Sequence, residues 1–164
     1  MGHRFAETVF TESVRAIQQD EGSRDSYTRM EGGEDYNNLL NEREAQFIVE
    51  RDSFYMASVS ETGWPYRGGP VGFMKVLDEK TIGFADFSGN RQYVSTGNFR
   101  KDNRIALFFM DYPNKTRLKL LGRVREISAD DVEQLAQLEA ADYSAKVERG
   151  FIIDVEGFAD FSGN

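Results

Sequence analysis

Cysteine is absent from this 164-residue chain, and histidine and tryptophan occur once each. Without cysteine there is no disulfide, no thiolate nucleophile and no cysteine-based zinc or iron–sulfur site. With His3 as the one histidine, near the N-terminus, no nucleophile–base pair of the Ser-His kind is in view. No apolar run approaches the roughly 20 residues that cross a bilayer. Met1–Phe10 carries no apolar segment of the signal-peptide kind. No membrane partner is expected, and the expected location is cytoplasmic. The acidic clusters Glu31-Glu34-Asp35 and Asp130-Asp131-Glu133 lack the spacing of a calcium loop, and the second reads as an ordinary helix start. No metal site is expected.

The net charge of −8 disfavours nucleic acid as a partner, but it is unevenly spread. Arg67–Ile127 carries +6 and the remainder −14. A basic middle in an acidic protein suits a small anionic ligand such as a phosphate ester, and equally suits ordinary solvated strands.

Along the chain, Phe10–Asp20 reads as a short helix capped by Thr11, with Val14 and Ile17 on one face. Glu21–Tyr36 is polar and reads as an irregular arm. Asn41-Glu42-Arg43-Glu44 has the form of a capping box, predicting a helix to about Arg51 with Phe47 and Ile48 inward. Strands are then predicted over Phe54–Ser60, Val71–Leu77, Thr81–Asp86, Arg104–Met110, Arg117–Ile127 and Phe151–Val155. A short helix is expected over Gln92–Phe99. Another follows Ser128–Asp131, with Val132, Leu135 and Leu138 facing the core. Many strands and few helices predict a mainly β fold, an antiparallel barrel-like sheet with peripheral helices.

The strand ending at Ala85-Asp86 runs into Ser88-Gly89-Asn90-Arg91-Gln92 and then a helix. That order assembles an anion site from backbone N–H groups, a helix N-terminus and one guanidinium. The bland reading is a turn followed by a helix start. Arg67-Gly68-Gly69 allows close backbone approach to a flat ring, or is a simple bulge. Arg117 lies on one strand face with Lys115 and Lys119, where it either meets an anionic ligand edge or is merely solvated. Gly157–Asn164 repeats Gly83–Asn90 residue for residue, GFADFSGN. No helix follows the second copy, so it reads as an artefactual or engineered tail and not as a second site.

Six segments together resemble the flavin-binding split-barrel proteins related to pyridoxamine 5′-phosphate oxidase. They are Met30–Tyr36, Arg51–Ala57, Ser58–Tyr66 (SVSETGWPY), Arg67-Gly68-Gly69-Pro70, Ala85–Asn98 and Met110–Asn114. The resemblance implies a six-stranded split barrel and a homodimer with FMN at its interface. It divides the chain into an N-terminal helix and arm (1–40), the FMN-binding domain (41–156) and the duplicated tail (157–164). It places the cofactor phosphate on Ser88, Asn90, Arg91 and Gln92. Backbone contacts to the flavin fall on Ala85 and Asp86, the ring beside Arg67, and a contact from the second subunit on Arg117 and then Lys119. The chain departs from relatives in lacking a few residues, a histidine among them, between Tyr66 and Arg67. The repeat also replaces the usual aromatic, His- and Pro-containing tail. An FMN-dependent oxidoreductase of unknown substrate is the implied function, with no catalytic residue assigned. A non-catalytic flavin-binding sensor, or a variant that no longer holds FMN, are the alternatives. Haem, used elsewhere in the wider fold, is disfavoured with only His3 and no cysteine.

Overall fold

The computed structural model describes residues 2–68, 71–139 and 146–162. Gly69 and Pro70 of the Arg67-Gly68-Gly69-Pro70 motif, and Gly163 and Asn164 at the end of the repeat, lie outside the described residues. Among these residues seven strands form one antiparallel sheet: β1 (Tyr55–Val59), β2 (Pro65–Arg67), β3 (Lys75–Val76), β4 (Thr81–Phe87), β5 (Arg104–Asp111), β6 (Thr116–Ile127) and β7 (Val147–Ser162). Their order across the sheet is β2-β1-β5-β6-β7-β4-β3. The sheet curls so that its ends approach each other. Phe54, just before β1, bridges Val71, which precedes β3. Phe54 also packs on Phe84 of β4 and Phe109 of β5, with ring centroids 5.3 and 5.6 Å apart.

The architecture is the expected antiparallel split barrel with helices around it, built from seven strands where six were expected. The additional one is β2. Gly63 takes a φ of +82°, which glycine adopts without a Cβ clash, and the chain turns back so that Ala57, Ser58 and Val59 pair with Arg67, Tyr66 and Pro65. The strand expected over Val71–Leu77 shrinks to Lys75–Val76.

Period-2 alternation fills the barrel. Met56, Leu107, Leu120 and Phe158 form one inward row across β1, β5, β6 and β7. The final strand, expected over Phe151–Val155, is far longer and contains a bulge. Leu121 pairs with Gly157 and Gly122 with Val155, so Glu156 has no opposite residue. One inserted residue reverses the alternation: Phe151, Ile153 and Val155 point inward before it and Phe158 after it. Residues 157–162 of the repeat therefore continue β7 alongside β6.

Among the described residues six helices surround the barrel: α1 (Arg4–Val9), α2 (Glu12–Asp20), α3 (Arg24–Glu31), α4 (Glu42–Val49), α5 (Val94–Phe99) and α6 (Val132–Ala136). The Asn41/Glu44 capping box starts α4 as predicted and Ile48 is buried. Thr11 caps α2 through the Val14 N–H. The face that Val14 and Ile17 share does not bury Ile17, which is exposed, while Gln18 is buried and accepts a 2.6 Å hydrogen bond from Arg24 Nη1. The arm expected to be irregular contains α3, and α1 precedes the first predicted helix. His3 is buried as the N-cap of α1, its Nδ1 accepting from the Ala6 N–H. Helix α6 lays Leu135, and Leu138 just beyond it, on the outer face of β4, β6 and β7, but Val132 is exposed, against expectation.

Candidate functional site

Strand β4 delivers the chain to the site. Beyond Gly83, its side away from β7 is paired with no other strand among the described residues, because β3 pairs only with Ile82 and Gly83. After Phe87 the loop tightens on itself, with Asn90 Oδ1 accepting from the Gln92 N–H at 3.1 Å. Arg91 and Tyr93 both lie in the left-handed region, with φ of +60° and +53°. Tyr93 is the N-cap of α5 and makes no side-chain cap hydrogen bond, leaving the first-turn N–H groups uncapped by that side chain. Helix α5 starts two residues later than predicted for this reason: the left-handed Tyr93 cannot be part of it. Its other end is anchored by a buried hydrogen bond from Asn98 Nδ2 to Ser58 Oγ of β1, 2.9 Å long.

Loop, strand edge and helix enclose a cavity of about 400 Å³. Its lining combines the polar residues Asn90, Arg91, Gln92, Ser95 and Thr96 with the apolar residues Met56, Val71, Phe84, Phe99 and Phe151. A cavity that combines apolar walls with convergent polar groups is a candidate cofactor site.

A charged cluster supports the loop. Arg149 is mostly buried and pairs with Asp86 at 3.2 Å, Glu148 at 3.2 Å and Glu126 at 3.5 Å. Its guanidinium also stacks over the Tyr93 ring, 4.8 Å from the centroid. The Tyr93 hydroxyl donates to Glu148 at 3.2 Å and accepts from Arg91 Nε at 3.2 Å. Burial pushes the Asp86 carboxyl above the usual range; Arg149 opposes this, while Glu148 and Glu126 add to it. Burial also pushes Glu148 up, but hydrogen bonds from Arg149, Ser88 and Tyr93 outweigh it and hold that carboxyl low.

Of the residues singled out from sequence, Ala85, Asp86, Asn90, Arg91 and Gln92 line this one cavity, and Ser88 lies in its loop. Arg67 and Arg117 do not join them. Alternation along β2 turns Tyr66, and beyond the strand Gly68, toward the cavity, and Arg67 the other way. There its guanidinium sits 5.0 Å from the Tyr55 ring centroid, beside a groove of about 330 Å³ under α1. Arg117 lines a third hollow of about 550 Å³ together with Arg43, Phe47 and Glu50 of α4. Sequence reasoning missed Tyr93, Ser95, Thr96, Glu148 and Arg149. Ser95 and Thr96 had a signal, as hydroxyl residues near the start of the predicted helix. Among the described residues there is no group of three metal-ligating side chains, and no helix long and apolar enough to cross a membrane.

Residues 40–159 match the protein family described as pyridoxamine 5′-phosphate oxidase. No curated protein matches the sequence. Among solved structures, Group A Streptococcus HupZ aligns with a TM-score of 0.62 and 18% identity, over 77% of this chain and 97% of that one. A Lactobacillus delbrueckii protein provisionally named pyridoxamine 5′-phosphate oxidase gives 0.59 and 22%, over 74% and 94%. A Clostridium acetobutylicum protein related to general stress protein 26, of the pyridoxinephosphate oxidase family, gives 0.56 and 14%, over 73% and 86%. At these identities the structural likenesses bear on the fold alone.

Proposed function

The chain belongs to the pyridoxamine 5′-phosphate oxidase family, and on that premise we propose that it binds FMN as a homodimeric flavoprotein with oxidoreductase chemistry. The observation that carries the reading is the cavity at the open edge of β4, where Arg91, the Asn90–Gln92 turn and the start of α5 converge. These residues fit the phosphate end of the cofactor. A phosphate dianion needs several N–H donors and a guanidinium, which the loop supplies together with the Ser95 and Thr96 hydroxyls. The edge of Ala85–Phe87 left unpaired by β3 offers backbone groups to the rest of the molecule, beside apolar lining residues such as Phe84 and Phe151.

FMN, when bound, supplies hydride and electron transfer at its ring; the protein's part is binding, orientation and electrostatics. Arg91 would neutralise the phosphate, with Ser88, Asn90 and Gln92 as neutral partners and Ala85 and Asp86 offering backbone contacts. Arg67 and Arg117 line hollows apart from this cavity, so their assigned roles require a flavin held against a second subunit. The substrate is left open.

A second reading, a flavin binder without turnover, is favoured by the composition of the lining. The described cavity residues include no histidine, lysine or cysteine. Asp86 and Glu148 are both committed to Arg149. A flavin reduced photochemically but by no nicotinamide or amine donor would select that reading.

The experiment is a visible absorption spectrum of purified protein before and after incubation with FMN and desalting. Retained flavin at one per subunit is the expected result. A folded, colourless protein would overturn the proposal.

A further inference from the structure

Arg91 and Tyr93 stand in a backbone region that long and aromatic side chains rarely enter, within three residues of each other. Such conformations persist only where the surroundings over-determine them. Here the surroundings are specific. The Tyr93 ring is held against Arg149, and its hydroxyl both donates to Glu148 and accepts from Arg91 Nε. Arg149 in turn is fixed by Asp86, Glu126 and Glu148, and Arg100 holds Glu126 by two 2.9 Å hydrogen bonds.

We infer that Tyr93, clamped by Arg149 and Glu148, is a positioning residue that sets Arg91 for the phosphate of the ligand. The inference rests on the flavin-phosphate reading above and deepens it. Donation of the Nε–H to Tyr93 fixes the guanidinium plane and leaves its two Nη groups as the edge for bidentate contact. The carboxylates Asp86 and Glu148 would repel a phosphate if unpaired. Their engagement with Arg149 reduces that conflict. Preorganisation of this kind raises affinity by removing the cost of ordering the loop when the ligand arrives.

The test compares FMN with riboflavin, which has the same ring and no phosphate, by equilibrium fluorescence titration of the full chain. Tyr93→Phe keeps the ring on Arg149 and removes both hydroxyl bonds. It should weaken FMN binding about tenfold, leaving riboflavin affinity and the melting temperature unchanged. Tyr93→Gly, which suits the left-handed backbone and so guards against misfolding, should lose the preference for FMN in the same way. Arg91→Ala serves as reference. If it abolishes the preference while Tyr93→Phe retains it, the positioning role is overturned and the phosphate site stands. If both ligands weaken equally in Tyr93→Phe, the role is structural and the inference is likewise overturned. A wild-type protein that does not prefer FMN to riboflavin overturns the phosphate reading itself, and this inference with it.

Discussion

Arg91 carries the phosphate reading at the scale of single residues, and its removal separates binding from folding. It is exposed, so Arg91→Ala should weaken FMN affinity about tenfold or more while the thermal midpoint stays put. A titration followed by a melt of the same sample checks both halves, and unchanged affinity would move the phosphate elsewhere. Asn90, Arg91 and Gln92 were legible in the sequence because a strand ending in Ser-Gly-Asn before a helix is a local signal. Glu148 and Arg149 were not, since they reach the loop from a strand more than fifty residues further on, joined to it only by tertiary folding. Tyr93 was misread as an ordinary helical position because nothing in its type announces a left-handed backbone. Arg67 was legible as a candidate, but its direction depends on the two-residue alternation of β2, a strand that the sequence pattern did not reveal.

At the scale of elements, Glu156 does the most with one side chain. It is the unpaired residue of the β7 bulge, and its carboxylate pairs with Arg4 of α1 at 2.8 Å and Arg123 of β6 at 3.0 Å. The hydrogen bond from Arg4, opposed by burial and supported by Arg123, holds this carboxyl below the usual range. A folded-state pKa below the unfolded one means stability that is present above the unfolded value and lost as pH falls through the folded one. Glu156→Gln should therefore melt below the wild type at neutral pH, and the gap should close as pH falls below about 4. A gap independent of pH would show that the carboxylate charge contributes nothing. The capping box of α4 was readable because Asn41 and Glu44 satisfy each other's backbone locally. Helix α3 was not: Arg24–Glu31 has no apolar stripe, and it is held through ion pairs of Glu31 with Arg15 and Arg24. The bulge had no sequence signature at all, which is why the final strand was read as ending at Val155.

For the whole molecule, the open matter is whether the repeated octapeptide is an appendage or part of the barrel. In the first copy Phe84 lies in the core against Phe54 and Phe151. In the second, Phe158 is 1% exposed in the same core cluster, and its N–H donates to Asn37 O at 2.9 Å. Gly157 lets α1 approach so closely that an added Cβ would stand 2.9 Å from the Phe5 nitrogen. The N-terminal arm thus closes over β7 at the point where the repeat begins. An appended tail would tolerate truncation of its aromatic side chain without effect. A strand of the barrel would not, because deleting a fully buried phenylalanine costs about 3–5 kcal/mol through lost burial and the cavity left behind. Phe158→Ala and Phe84→Ala should therefore lower stability by comparable amounts in urea unfolding followed by circular dichroism. A neutral Phe158→Ala beside a destabilising Phe84→Ala would mean that the second copy only rests on β6. The barrel would then close without it, and the domain would end at the bulge.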